Sequence, residues 1–195
     1  MKMKPTGIFW MFALVVALFS CTSDQDHRIQ PKGREVVSFR AIPFPLEQVE
    51  LLEGPFKHAT ELNKQSLLSY KPDRFLADFR RVAGLEPKAE DYGGWEDQTL
   101  AGHSLGHYLT ACALMYKTSG EQEFLERVNY IVEGLDKCQQ ADGDGFIGAV
   151  VDTNVKKIFE QQIAKGEIRS RGFDLNGIWA PWYTMHKQLA GLIDA

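Results

Sequence analysis

The chain has 195 residues, 44% of them hydrophobic, 25% charged and 11% aromatic, an ordinary globular balance that excludes a disordered or fibrous protein. Its net charge is -4, and it carries neither a basic stripe nor a glycine-rich phosphate loop, so nucleic acid is excluded as an expected partner.

Residues 1–20 read as an export signal. Lys2 and Lys4 form a positive start, and Ile8 to Phe19 is an unbroken apolar run of twelve residues. A bilayer-spanning helix needs about 20, so the run suits a signal peptide. It ends Leu18-Phe19-Ser20-Cys21, which resembles the bacterial lipobox and marks Cys21 as a lipidation site. Acyl chains stabilise membrane attachment by about 0.8 kcal/mol per buried CH₂. The expectation is a membrane-anchored lipoprotein, periplasmic or on the cell surface. An ordinary signal peptide with a chance cysteine, or an uncleaved anchor, remains open. Residues 21–38 are mostly polar, include Pro31 and Gly33, and read as a tether.

Residues 39–195 read as a domain portion. Two prolines keep 39–46 extended. Pro55 suits the first turn of a helix that runs to Tyr70, where Lys71-Pro72 breaks it. A short helix follows from Asp73 to Val82, then a loop over 85–95. A long helix is predicted over 97–118. Its apolar residues Leu100, Leu105, Tyr108, Leu109, Cys112, Leu114 and Met115 spread around most of the cylinder, which predicts burial on all sides. The next, 121–140, carries Phe124, Val128, Ile131, Leu135 and Cys138 at spacings of 4, 3, 4 and 3, one buried face and one wet face. Asp142-Gly-Asp-Gly resembles part of a calcium loop, but Thr153 stands where that loop needs its glutamate, so a plain turn is expected. A helix over 153–165, a loop to Gly177 and a last helix from Pro181 complete the pass. The two cysteines besides Cys21 show no metal spacing and no required disulfide.

Fully buried helices alternating with half-wet ones suggest an inner and an outer ring, the layout of an α/α toroid; a plain helix bundle is the alternative. Leu189, Leu192 and Ile193 continue an apolar pattern without a cap. Five or six helices are about half of a closed double ring, so the expected fold class is all-α, the N-terminal part of an incomplete (α/α)6 barrel.

Two segments carry candidate chemistry. In Gly93-Gly94-Trp95-Glu96 … Gly102-His103-Ser104-Leu105-Gly106-His107, the histidines are four apart and so share a helix face. Glycines at 102 and 106, each costing a helix interior roughly 1 kcal/mol, suggest that something packs close to the backbone. The pair admits three readings: a zinc site, which lacks the glutamate at Ser104 and a third ligand; buried histidines satisfied by carbonyls; or sugar binding. In the last, Trp95 faces a sugar ring, Glu96 and Asp97 accept, and the imidazoles exchange hydrogen bonds with hydroxyls. The second segment, Phe173 to Lys187, repeats the pattern with Trp179, Trp182 and His186, which either fill the core or share one cleft with the first. Of 26 acidic residues, no glycosidase pair stands out.

The runs Tyr92-Gly-Gly-Trp-Glu, Gly102-His-x-x-Gly-His-Tyr-Leu and Trp179-x-Pro-Trp-Tyr-Thr-Met-His-Lys resemble the β-L-arabinofuranosidase-like glycoside hydrolases of family 127 and the related family 146. Pro72-Asp-Arg-Phe-Leu and Arg80-Arg-Val-Ala-Gly-Leu are similar to their opening region, and the resemblance covers about residues 42–195. It implies release of terminal L-arabinofuranose from plant glycans by a retaining mechanism, in which a zinc-bound cysteine attacks and a glutamate is acid/base. None of those catalytic or zinc residues falls on a matching position here, so no catalytic or metal residue is assigned and this chain alone is expected to be inactive. Trp95, Glu96, His103, His107, Trp182 and His186 are the candidate sugar contacts. A non-catalytic carbohydrate-binding surface lipoprotein, or a fragment without function, is the alternative.

Overall fold

A computed structural model describes residues 41–96 and 98–195. The expected signal peptide, the tether, Cys21 and Asp97 lie outside the described residues. Residues 43–195 form one compact unit.

After a 3-10 turn at Leu46–Gln48, the unit contains six helices among the described residues: α1 (Pro55–Ser69), α2 (Pro72–Val82), α3 (His103–Ser119), α4 (Gln122–Asp142), α5 (Thr153–Gln161) and α6 (Pro181–Asp194). The fold is all-α, as expected, and is compatible with part of an (α/α)6 barrel. Prolines open α1, α2 and α6, where a missing N–H costs nothing. Gly120 and Gly143, both left-handed, close α3 and α4.

The core lies between α2, α3 and α4. Phe79, Leu105, Leu109, Cys112, Phe124 and Ile131 are almost wholly buried there. The predicted stripe of α4 is the observed one: Phe124, Val128, Ile131, Leu135 and Cys138 are all buried. Each of its larger apolar side chains contributes about 1.5–3 kcal/mol on leaving water. On its polar flank Arg127 ties α4 to the end of α1. Its guanidinium donates to the carbonyls of Tyr70 and Leu68, both at 2.7 Å, and to the Tyr108 hydroxyl at 2.8 Å. That hydroxyl in turn donates to the Leu67 carbonyl at 2.9 Å. Orphan carbonyls at the C-terminus of α1 are thereby satisfied from 41 to 59 residues away in sequence.

Four expectations need correction. First, α3 begins at His103, not at 97; Gln98–Leu100 is a 3-10 turn, and Gly102 is left-handed at φ 95°. Gly102 is therefore the residue before the helix and not one of two interior glycines. Second, α3 is not buried all round. Leu105, Tyr108, Leu109, Cys112 and Met115 face the core, while His107, Leu114 and Thr118 reach solvent along one line. That line borders a groove of about 1000 Å³ whose other walls are residues 46–51 and α1. Third, the stretch expected as loop between α5 and α6 holds a small antiparallel sheet of two-residue strands, β1 (Ser170–Arg171), β2 (Asp174–Leu175) and β3 (Ile178–Trp179). Fourth, the helix expected over 153–165 ends at Gln161 and passes into a 3-10 turn, Ile163–Lys165.

The Asp142–Asp144 turn is a turn, as expected, and already contains a cation. The ammonium of Lys156 lies 2.6 Å from an oxygen of each aspartate. Cys112 and Cys138 are free and buried, and burial pushes both thiols up.

Candidate functional site

The first segment is built around a buried carboxylate. Gly93 and Gly94, both at positive φ, swing the chain into a 3-10 turn at Gly94–Glu96. The turn leaves Trp95 70% exposed and sends Glu96 inward, 7% exposed. Glu96 Oε2 accepts from Gly102 N at 2.8 Å; Oε1 accepts from Ser104 N at 2.9 Å and lies 2.9 Å from His103 Nδ1. Gly102, the residue before α3, has no side chain with which to cap it. Glu96 supplies it from upstream, placing an anion where the helix's first N–H groups and dipole favour one. Gly102 has to be glycine twice over, because a Cβ there would also lie 2.6 Å from Gln188 Nε2 and 2.8 Å from Phe79 Cζ.

The second segment reaches the same place from the other side. Asn176 and Ala180 adopt left-handed backbone at φ 53° and 50°. Asn176 is held there by its side chain, which donates to Gln162 Oε1 at 2.9 Å and to the Glu167 carbonyl at 2.8 Å, and accepts from Arg169 N at 2.7 Å. This braced turn delivers Trp179 at the end of β3 and starts α6 at Pro181. The register between α3 and α6 is fixed by glycine. A Cβ on Gly106 would stand 2.1 Å from the Lys187 carbonyl oxygen, and one on Gly191 would stand 2.5 Å from the Gly106 carbonyl oxygen. Close packing at Gly106, expected from its spacing, is therefore found, and α6 is what packs there.

The two segments meet. The rings of Trp95 and Trp179 are 6.2 Å apart, and those of His103 and Tyr183 are 5.8 Å apart. His107 Nε2 faces the Tyr183 hydroxyl at 3.3 Å, and the Lys187 ammonium lies 5.2 Å from the Tyr183 ring centre. His107 is held below the usual imidazole range, first by partial burial and then by the charges of Lys187 and His103, with a smaller contribution from His186. Beside this mouth lies a hollow of about 400 Å³, walled by Tyr70, Phe75, Tyr92, Trp95, Glu96 and His107 among others. Its size lies within the range of small-molecule sites. Tyr92 and Phe75 pack at 4.6 Å, and Phe75 stacks on Tyr108 at 4.8 Å, so one side of the hollow is a fixed aromatic wall.

Of the six candidate residues, Trp95, Glu96, His103 and His107 come together. His186 is exposed on α6 and near enough to bear on His107. Trp182 goes elsewhere: it packs edge-on against Phe159 of α5 at 6.0 Å. Its place beside Trp95 is taken by Trp179, and Tyr183 joins the imidazoles; neither is among the six. The only signal for them in the sequence is that they share the second aromatic segment.

The residues described do not fit a zinc centre. Among them no three His, Cys, Asp or Glu side chains converge as ligands. His103 Nδ1 is occupied by Glu96 and the Leu100 carbonyl, and the buried thiols are held in their neutral form.

Two comparisons with known proteins bear on these features. Compared with curated proteins, the chain finds no match. Residues 48–195 match the family model described as β-L-arabinofuranosidase, GH127 catalytic domain. That span takes in α1 to α6 and both segments of the mouth, and the chain belongs to the GH127 β-L-arabinofuranosidase-like family of glycoside hydrolases.

Proposed function

We propose that this chain forms a sugar-binding face of a glycoside hydrolase that releases terminal β-L-arabinofuranose from plant glycans with retention. The observation that carries the reading is the meeting of Trp95 and Trp179 at 6.2 Å beside His103, His107 and Tyr183. Exposed indoles offer apolar faces to a furanose ring, and imidazole and phenol groups hydrogen-bond its hydroxyls. Catalysis needs more. Glu96, the carboxylate at this mouth, already holds two backbone N–H groups and an imidazole, which leaves it poorly placed to shuttle protons. On this reading the described residues bind the sugar, and Glu96 is not assigned the acid/base role. The zinc-bound cysteine and acid/base glutamate implied by the resemblance fall on no position matched here. The segment from Lys2 to Cys21 supports export and anchoring through a lipidated cysteine.

The test is tryptophan fluorescence of the chain titrated with methyl β-L-arabinofuranoside. Quenching is expected. Trp95→Ala and Trp179→Ala should each weaken binding about tenfold, since an aromatic platform contributes roughly 0.5–1.5 kcal/mol beyond area burial. Arabinose released by the chain alone would contradict the binding-only reading. Wild-type affinity in both tryptophan variants would contradict the site.

A further inference from the structure

Glu96 engages the chain on both sides of His103 and the ring between them. Its carboxylate accepts from the N–H of Gly102 at 2.8 Å and the N–H of Ser104 at 2.9 Å, and its Oε1 lies 2.9 Å from His103 Nδ1. The same Nδ1 lies 2.8 Å from the carbonyl of Leu100. A carbonyl oxygen accepts and never donates, and an ionised carboxylate does the same. With two acceptors before it, Nδ1 has to carry a hydrogen. In the neutral ring the other nitrogen, Nε2, then carries only a lone pair. Ser104 Oγ lies 3.5 Å from it, too far for a firm hydrogen bond. The ring stands at the mouth, 5.8 Å from Tyr183 and 6.2 Å from His107.

The geometry points to Glu96 as a positioning residue: together with the Leu100 carbonyl it fixes His103 as the Nδ1–H tautomer and presents Nε2 to the mouth as an acceptor for a ligand hydroxyl. A ring free to exchange tautomers offers either a donor or an acceptor at Nε2; the clamped ring offers one, so the ligand group opposite it has to donate. This rests on the proposed sugar site for its ligand, but the tautomer is a property of the unliganded chain and is measured without sugar.

The experiment is long-range ¹H–¹⁵N NMR of histidine-labelled chain at alkaline pH, where imidazoles are neutral. His103 should show a protonated Nδ1 and a bare Nε2, while exposed His58 shows the opposite preference of imidazole in water. Glu96→Gln keeps an oxygen that can face Nδ1 and should retain the tautomer, at reduced stability because its amide meets the Gly102 N–H. Glu96→Ala leaves the Leu100 carbonyl alone to hold the hydrogen on Nδ1, so the Nε2–H tautomer should rise to a detectable minor population. An Nε2–H ring in the wild type overturns the proposal. So does a Glu96→Ala spectrum identical to wild type, because Glu96 would then cap the helix and nothing more. Should Glu96→Ala fail to fold, wild type and Glu96→Gln decide, and an Nε2–H ring in either is refuting. Adding methyl β-L-arabinofuranoside to the same sample reads sugar binding separately, so loss of one result leaves the other standing.

Discussion

Replacing Gly106 by alanine tests the packing that creates the mouth. The new methyl would stand 2.1 Å from the Lys187 carbonyl oxygen, 2.4 Å from its carbon and 2.8 Å from Gln188 N. All three are backbone atoms of α6, so no rotamer change relieves the clash and the helices have to separate. Overpacking costs about 1–3 kcal/mol where side chains can yield, and a backbone obstacle lies at or above the top of that range. Alanine returns about 1 kcal/mol through its better helix propensity. A net loss of about 2 kcal/mol or more follows, which for a chain of this length lowers Tm on the order of 5 °C or more. The control is Gly134→Ala in α4, whose methyl would meet Leu76 Cδ1 at 2.7 Å, the tip of a flexible side chain. That change should fall within about 1 kcal/mol of wild type, because strain and propensity oppose each other. Thermal and urea unfolding measure both. Wild-type stability in Gly106→Ala, or equal damage from Gly134→Ala, would refute the close contact of α3 with α6.

Other expectations follow from the same geometry. Arg127→Ala leaves the Leu68 and Tyr70 carbonyls without their charged donor and should cost about 1.5–3 kcal/mol in urea unfolding, with exchange rising first at the end of α1. His107 should titrate below its ordinary value of about 6.5, and Lys187→Gln should move it partway back. Because the folded chain binds that proton less readily than the unfolded one, the associated stability is present above about 6.5 and is lost as pH falls through the depressed value. Asp144, whose carboxyl the Lys156 ammonium and then the Phe146 N–H hold down to about 2, should move partway back toward the ordinary carboxylate range in Lys156→Ala, as read by carboxyl ¹³C NMR. In the wild type its contribution is present above that ordinary range and is lost as pH falls through about 2.

What was legible in the sequence was whatever repeats at the helical period or interrupts it. The stripe of α4 could be read residue by residue because a single apolar face has one solution. The start of α3 could not, because Gly102 and Gly106 stand at helical spacing although only Gly106 is helical. A left-handed glycine before a helix and a glycine within one look alike as letters. Two-residue strands such as β2 are too short to show alternation, and Arg127 draws its partners from a part of the chain that no local pattern connects to it. The same holds at the site. Composition marked both aromatic segments, but only the braced turn at Asn176 and Ala180 decides that Trp179 faces Trp95 while Trp182 turns to Phe159.

The most direct measurement is of intermolecular NOEs from bound methyl β-L-arabinofuranoside to the indole protons of Trp95 and Trp179 in one sample. If two distant stretches of chain enclose one sugar, both rings report the same ligand at the same saturation. Signals from one ring only, or from Trp182 in place of Trp179, would show that the sugar is held elsewhere.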